Sequence, residues 1–137
     1  MKLCNDTITV INRRWDATNG YDAYNLTVIR GASWYHADAS AVDSNGLHAT
    51  DRFVVRIPTD ADTSGKTYAD PATYAAAQSA SGLWTLKNGD LIVKAEVTTM
   101  PETIASLRGS YGEIMTVLSV TDNRRAPNAS HFKVVGG

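Results

Sequence analysis

The sequence predicts a mainly β domain with minor α: a small antiparallel β-barrel, roll or sandwich of roughly six or seven strands with one or two short helices. Three observations carry this. Apolar and polar residues alternate with a period of two, as in Arg52, Phe53, Val54, Val55, Arg56 and Ile57. Turn signals such as Asn19-Gly20, Asn45-Gly46 and Asn88-Gly89 recur between the β-rich runs. Helical stretches are too few and too short to alternate with strands in a doubly wound parallel sheet.

The elements follow in order. Thr7, Ile8, Thr9, Val10 and Ile11 are all β-branched and form a first strand. A turn over residues 16–20 leads to a second strand over 24–35. There Leu26, Val28 and Arg30 share one face, and Thr27 and Ile29 share the other. Gly31 marks a bulge or bend, and Trp34 and Tyr35 anchor opposite faces. A turn at 43–46 precedes a third strand over 48–57, which Pro58 stops. Residues 58–70 are rich in Thr, Asp, Ser and Gly and read as a loop. Asp70 and Pro71 then form an N-cap followed by proline at the first helical position, opening a short helix over 72–80 that Gly82 ends.

Strands over 83–86 and 91–97 flank the Asn88-Gly89 turn. Pro101 and Glu102 open a second short helix, whose apolar stripe is Ile104, Leu107 and Tyr111. Gly112 ends it. Strands over 114–121 and 131–135 complete the chain, with a polar loop between them.

Composition bounds the function. The chain has 137 residues, 43% of them hydrophobic and 20% charged, with a net charge of -1. That is one globular domain, residues 1–137, large enough to bury its own core. Near-neutral charge makes a poor general phosphate binder. A single cysteine, Cys4, excludes a disulfide framework and a cysteine-based zinc site. The first residues lack the apolar run of a signal peptide, and no stretch reaches membrane-spanning length. The expected compartment is therefore the cytoplasm of the producing cell.

Chemistry-bearing motifs are sparse. His36, His48 and His131 are scattered and lack the spacing of a metal site. No Gly-x-Ser-x-Gly elbow occurs. Gly65, Lys66 and Thr67 resemble the end of a phosphate loop, but Asp60 stands where that motif needs glycine. No catalytic residue, metal or cofactor is expected. The pairs Arg13-Arg14 and Arg124-Arg125 each follow a strand and suit partner contact. Trp15, Tyr21 and Tyr24 cluster around the first turn, where aromatics serve either the core or an interface. Two stretches, 36–47 and 58–70, read as loops longer than a bare barrel requires, and such loops are where partners bind. The expected partner-contact residues are therefore Arg13, Arg14, His36, Asp43, Asn45, Asp60, Asp62, Lys66, Arg124 and Arg125. A competing expectation is a ligand-binding or enzymatic barrel with a pocket around Trp34, His36 and Trp84.

Several stretches together carry a resemblance. They are residues 5–10 (from Asn5), 29–34 (Ile29 to Trp34), 56–58, 85–93 (with Asn88, Gly89 and Asp90), 120–125 and 131–136. This set resembles a family of small proteins encoded in the head–tail module of prophages of Gram-positive, often gut-dwelling, bacteria. Residues 122–136 are its most specific part, and Phe132 departs from the expected Trp while keeping an aromatic ring. The layout is also similar to the head-completion, or stopper, proteins of long-tailed phages. That resemblance implies a non-enzymatic virion protein at the head–tail interface, made in the host cytoplasm. It implies a homo-oligomeric ring below the portal and adaptor that retains packaged DNA until the tail attaches. The partners would be neighbouring connector and tail proteins, with indirect contact to DNA and none to membrane. In such a ring the stretches 36–47 and 58–70 would gate or dock, and Arg124 and Arg125 would lie at a subunit border. A tail terminator, another tail-module structural protein, or a trimeric baseplate or fibre-attachment module are the neighbouring readings.

Overall fold

A computed structural model describes residues 5–16, 20–43, 46–77, 82–98, 104–111, 113, 114–125 and 130–137. Within these it describes the side chains except at 15, 16, 21, 22, 36–43, 46–52, 104, 105 and 108. The strands are β1 (Asp6–Asp16), β2 (Tyr21–Asp43), β3 (Gly46–Pro58), β4 (Thr67–Tyr68), β5 (Leu83–Trp84), β6 (Leu91–Val93), β7 (Ile114–Asn123) and β8 (His131–Gly136). The helices are α1 (Pro71–Ala76) and α2 (Ile104–Ser110). Six strands close an antiparallel barrel in the order β1-β2-β3-β8-β7-β6. The small parallel pair β4-β5 lies outside it.

The period-two patterns place the core. In β2, Thr27 and Ile29 are fully buried while Arg30 is exposed. Trp34 is buried and its neighbour Tyr35 is 53% exposed. Ile8, Val10, Ile29, Val55, Ile57, Ile92, Met115, Val117, Phe132 and Val134 fill one cluster with Trp34 and Trp84. β1 and β6 are buried on both faces, because Ile11, Leu91 and Val93 meet Val97 and Leu107 in a second cluster. Leu107 delivers the apolar stripe of α2 and has no solvent exposure. Burying such a side chain contributes about 1.5–3 kcal/mol, which a helix this short needs to persist.

Gly31 is the bulge that its position suggested. Asp6 pairs with Ala32 while Thr7 pairs with Arg30, so Gly31 is the extra residue on β2. Its φ of 90° lies in the left-handed region that glycine adopts without strain. The bend divides β2. Its first half pairs with β1, and its second half pairs with β3.

Several boundaries differ from the expectation. Of the stretch 36–47, residues 36–43 and 46–47 are strand and not loop. Residues 37–43 and 46–52 extend β2 and β3 as a two-stranded ribbon, in register from Ala37↔Arg52 to Asp43↔Gly46. Alanine, serine and aspartate have weak β preference, so the pattern looked like a loop, while cross-strand pairing decides the conformation. Arg13 and Arg14 lie inside β1 and do not follow it. The strand expected over 91–97 ends at Val93. There Thr9 Oγ1 donates to Ala95 O at 2.7 Å and accepts from Val97 N at 2.9 Å. That side chain replaces a strand neighbour. Helix α1 is shorter than expected and ends at Ala76, capped at its start by Asp70, whose side chain accepts from Thr73 N. Residues 17–19, 44–45, 78–81, 99–103 and 126–129, where turns, helix ends and the last loop were expected, lie outside the described residues.

The loop 58–66 covers an open edge. β3 leaves β2 at Ser33, so the β3-facing edge of β2 over 25–30 has no strand beside it among the described residues. Arg30 and Asp62 exchange backbone hydrogen bonds of 2.8 and 2.9 Å. Ser64 Oγ donates to Val28 O at 2.7 Å, and Lys66 Nζ donates to Leu26 O at 2.7 Å. Ser64 and Gly65 both take positive φ to make this approach. Alternate carbonyls of the edge are thus capped, which blunts it against foreign pairing.

Close packing makes Gly136 a sensitive position. A Cβ there would meet Met115 Cε at 2.8 Å and collide with the backbone carbonyl oxygen of Thr116. Gly136→Ala should lower stability by about 1–3 kcal/mol, the range for overpacking, read from urea denaturation. An unchanged midpoint would mean that the β7-β8 contact yields freely.

Candidate functional site: an aromatic groove with a cationic rim

The groove is built by three segments that meet at the end of β3. Pro58 closes that strand and faces His131 across the β3-β8 ladder, with Phe132 opposite Ile57. The parallel β4-β5 pair brings Tyr68 opposite Trp84. The turn after β7 brings Arg124. Together with Ala61, Thr63 and Lys66 these line a groove of about 380 Å³.

Its floor is aromatic. Tyr68 and Phe132 lie 4.5 Å apart between ring centroids, and Trp84 meets Tyr68 edge-on at 5.1 Å. Such offset and edge contacts suit ring quadrupoles. The Arg124 guanidinium carbon sits 5.1 Å from the Tyr68 centroid and 5.0 Å from that of Phe132, a cation–π placement. Asp122 fixes this guanidinium. Arg124 Nε donates to Asp122 Oδ1 at 3.0 Å and Nη2 donates to Oδ2 at 2.8 Å. The same pair holds the Asp122 carboxyl below the usual carboxylate range. Burial pushes the Tyr68 phenol up, and the Arg124 charge opposes that.

Lys66 is the second cation. Its ammonium donates to Asn25 Oδ1 at 2.9 Å and to Leu26 O at 2.7 Å. Both acceptors are neutral, and burial lowers the Lys66 pKa. A positive charge held by neutral oxygens beside an aromatic floor favours an anionic, partly apolar guest.

The structure scatters the sequence-predicted residues. Lys66 and Arg124 meet at the groove. Asp62 stands behind it in the edge-capping loop, where its Oδ1 accepts from Ser64 N at 3.0 Å. Asp60 is exposed on the turn after Pro58, and Arg125 is exposed beside Arg124 and Asp122. Arg13 and Arg14 lie elsewhere, on β1. Arg14 donates to Ala77 O and lies 6.0 Å over the Tyr74 ring, so it fastens the end of α1. His36 and Asp43 lie on the ribbon, where only their backbones are described, and Asn45 lies outside the described residues. Trp34 and Trp84 share the same buried cluster. Trp84 reaches the groove, while Trp34 packs against Phe53 at 5.0 Å.

Sequence reasoning missed Tyr68 and Phe132 as groove residues. It also missed a buried polar cluster at Asn12 and Asp90. Asn12 Nδ2 donates to Thr85 O and to Asp90 Oδ2, each at 2.8 Å, and Asn12 Oδ1 accepts from Thr85 N at 3.1 Å. Asp90 Oδ1 accepts from Arg13 N at 3.2 Å. The only signal was an Asn at a core-facing position of a strand. This cluster ties β1 to the segment before β6 and belongs to stability. Among the described residues, no group of three or more His, Cys, Asp or Glu side chains gathers to hold a metal ion. No helix is long and apolar enough to cross a membrane, among the described residues.

Barrel, ribbon and groove define a class: a small closed β-barrel whose distinguishing surfaces are a protruding hairpin and an aromatic-cationic groove. Residues 3–137 match a family of unknown function, DUF6751, and the chain belongs to that family. No curated protein and no solved structure matches it.

Two outcomes follow from the buried cluster. Asn12→Ala should cost about 2–4 kcal/mol, because it leaves buried partners unsatisfied; a chemical denaturation midpoint checks this. Burial raises the Asp90 pKa above its unfolded value. The charged form is therefore disfavoured in the fold. Its contribution is fully present below the unfolded pKa and is lost as pH rises through the raised folded value. The stability difference between the parent and Asp90→Asn should fall over that window and stay flat above it. A difference that rises with pH would reverse the assignment.

Proposed function

We propose that this chain is a non-enzymatic structural protein of the phage head–tail joint, a stopper or head-completion subunit that forms a ring below the portal and adaptor. The observation that carries the reading is the ribbon. Seven cross-strand pairs, Ala37↔Arg52 to Asp43↔Gly46, extend roughly 20 Å past the barrel's last shared rung. A two-stranded hairpin is marginal in water by itself. It gains a purpose when a neighbouring subunit or a channel receives it. The resemblance of residues 122–136 to prophage head–tail proteins supports the same reading, as does the near-neutral net charge, which suits a wall around moving DNA. Arg124 and Arg125 then stand at a subunit border.

The tail-terminator reading shares the ring but has no feature of its own here. The enzymatic or ligand-pocket reading names Trp34, His36 and Trp84 together; Trp84 lines the groove, whereas Trp34 packs against Phe53.

Quantitative mass spectrometry of particles from an induced lysogen tests the role. One ring's worth of copies per portal is expected, and absence from finished particles would end the structural reading. Replacing residues 37–52 by a short turn should leave the barrel's melting temperature within a few degrees and lower infectious yield by at least tenfold. Unchanged yield would free the ribbon from any role in the joint.

A further inference from the structure

Alternation fixes which side chains of β2, β3, β8 and β7 point away from the core. Trp34, Val55 and Val134 stand opposite one another and are buried in the core cluster. The residues on either side of them therefore face outward. Pairing lines these up in two rows across the four strands. One row is Ser33↔Arg56↔Lys133↔Thr121, and the next is Tyr35↔Val54↔Val135↔Ser119. The ladder slips between Val117 and Ser119, which leaves Leu118 unpaired beside the second row.

The second row is an apolar strip. Tyr35 is 53% and Leu118 59% exposed, and these are the exposed large hydrophobics among the described residues. Val54 and Val135 lie between them, so the strip runs roughly 15 Å across the sheet. The first row is cationic. Arg56 and Lys133 are direct cross-strand neighbours, and each is half-buried. Among the described residues no carboxylate pairs with either; the ion pairs there join Arg30 to Glu96, Lys94 to Glu113 and Arg124 to Asp122. The flanking members of the row, Ser33 and Thr121, are neutral hydroxyls. Like charges directly opposite destabilise a strand pair. The fold thus keeps a repulsion that one glutamate in place of either cation would remove.

We infer that this face docks an acidic, amphipathic segment of a partner protein, whose carboxylates lie over Arg56 and Lys133 while its apolar side chains cover Tyr35 and Leu118. Charge complementarity selects the occupant. A carboxylate above two adjacent cations relieves their repulsion and gains charge-assisted hydrogen bonds. The apolar strip selects protein over nucleic acid. A phosphate backbone would satisfy the cations but leave Tyr35 and Leu118 in water, whereas protein interfaces bury an apolar centre inside a polar rim. Two copies meeting by this same face would set like charges against each other, because a two-fold contact uses one patch twice. The complementary surface is therefore a different one. None of the residues in the two rows lines the aromatic groove, and the inference goes beyond the head–tail reading without resting on it.

NMR titration of the isotope-labelled full chain tests the docking with defined probes. These are a synthetic peptide alternating glutamate with leucine and phenylalanine, the same peptide with lysine for glutamate, and a short DNA duplex. Saturable shifts at Tyr35, Arg56, Leu118 and Lys133 are expected with the glutamate peptide alone. Arg56→Glu and Lys133→Glu should each weaken that binding by at least about tenfold, and the double reversal should bind the lysine peptide instead. Each single reversal also turns a like-charged pair into an opposite one, so its melting temperature should rise by about 1–4 °C. Binding lost in a variant that melts higher is not lost through misfolding. Glutamate-peptide shifts confined to the groove at Lys66, Tyr68 and Arg124, an equal response to DNA, or no saturable response would each overturn the docking. So would single reversals that bind as the parent does or melt below it. Counting copies in particles answers separately whether the chain belongs to the head–tail joint, so failure of one does not imply failure of the other.

Discussion

The structure depends on β2 serving two partners in turn. Its 23 residues pair with β1 up to Ala32, just past the Gly31 bulge, and with β3 from Ser33 on. A closed sheet of short strands needs sharp bends, and a glycine bulge supplies one by adding a residue and increasing local twist. Everything downstream of that bend inherits its direction. Trp34 turns inward, Tyr35 turns outward, and β3 is presented to β8 at the register that closes the barrel.

Closure leaves few edges, and their treatment separates structure from interaction. The inner edge of β2 is capped carbonyl by carbonyl, through Arg30, Val28 and Leu26. Lys66 does this work and also faces the groove, so one side chain links the stability of the edge to the charge of the surface. The cost of holding its ammonium partly out of water is visible in its lowered pKa. In the buried cluster of Asn12 and Asp90, both amide hydrogens of Asn12 find an acceptor. A satisfied cluster of this kind fixes the register of β1 against the segment around Thr85.

Parts of the barrel were legible because they rest on local pattern. Val55 and Ile57 flank the polar Arg56 and are buried as the period requires, while Val54 departs from it and is buried as well. Asp70 and Pro71 announce α1, and the side chain of Asp70 caps it. The hairpin was illegible because Ala37, Ala39, Ser40 and Ala41 carry little intrinsic β preference; only pairing with Ala49 and its neighbours makes them a strand. The groove was half legible. Lys66 and Arg124 stood out as charges in polar stretches, whereas nothing local to Tyr68 or Phe132 marks them as facing a groove.

The sequence by itself determined the class: mainly β, with Gly31 as the bend, because alternation and glycine conformations act over a few residues. Tertiary structure alone decided which edges are capped and which stay open. It also decided that residues 68, 84, 124 and 132 share one groove. Those facts depend on contacts between segments dozens of residues apart, and their energies come from the closed sheet that brings the segments together.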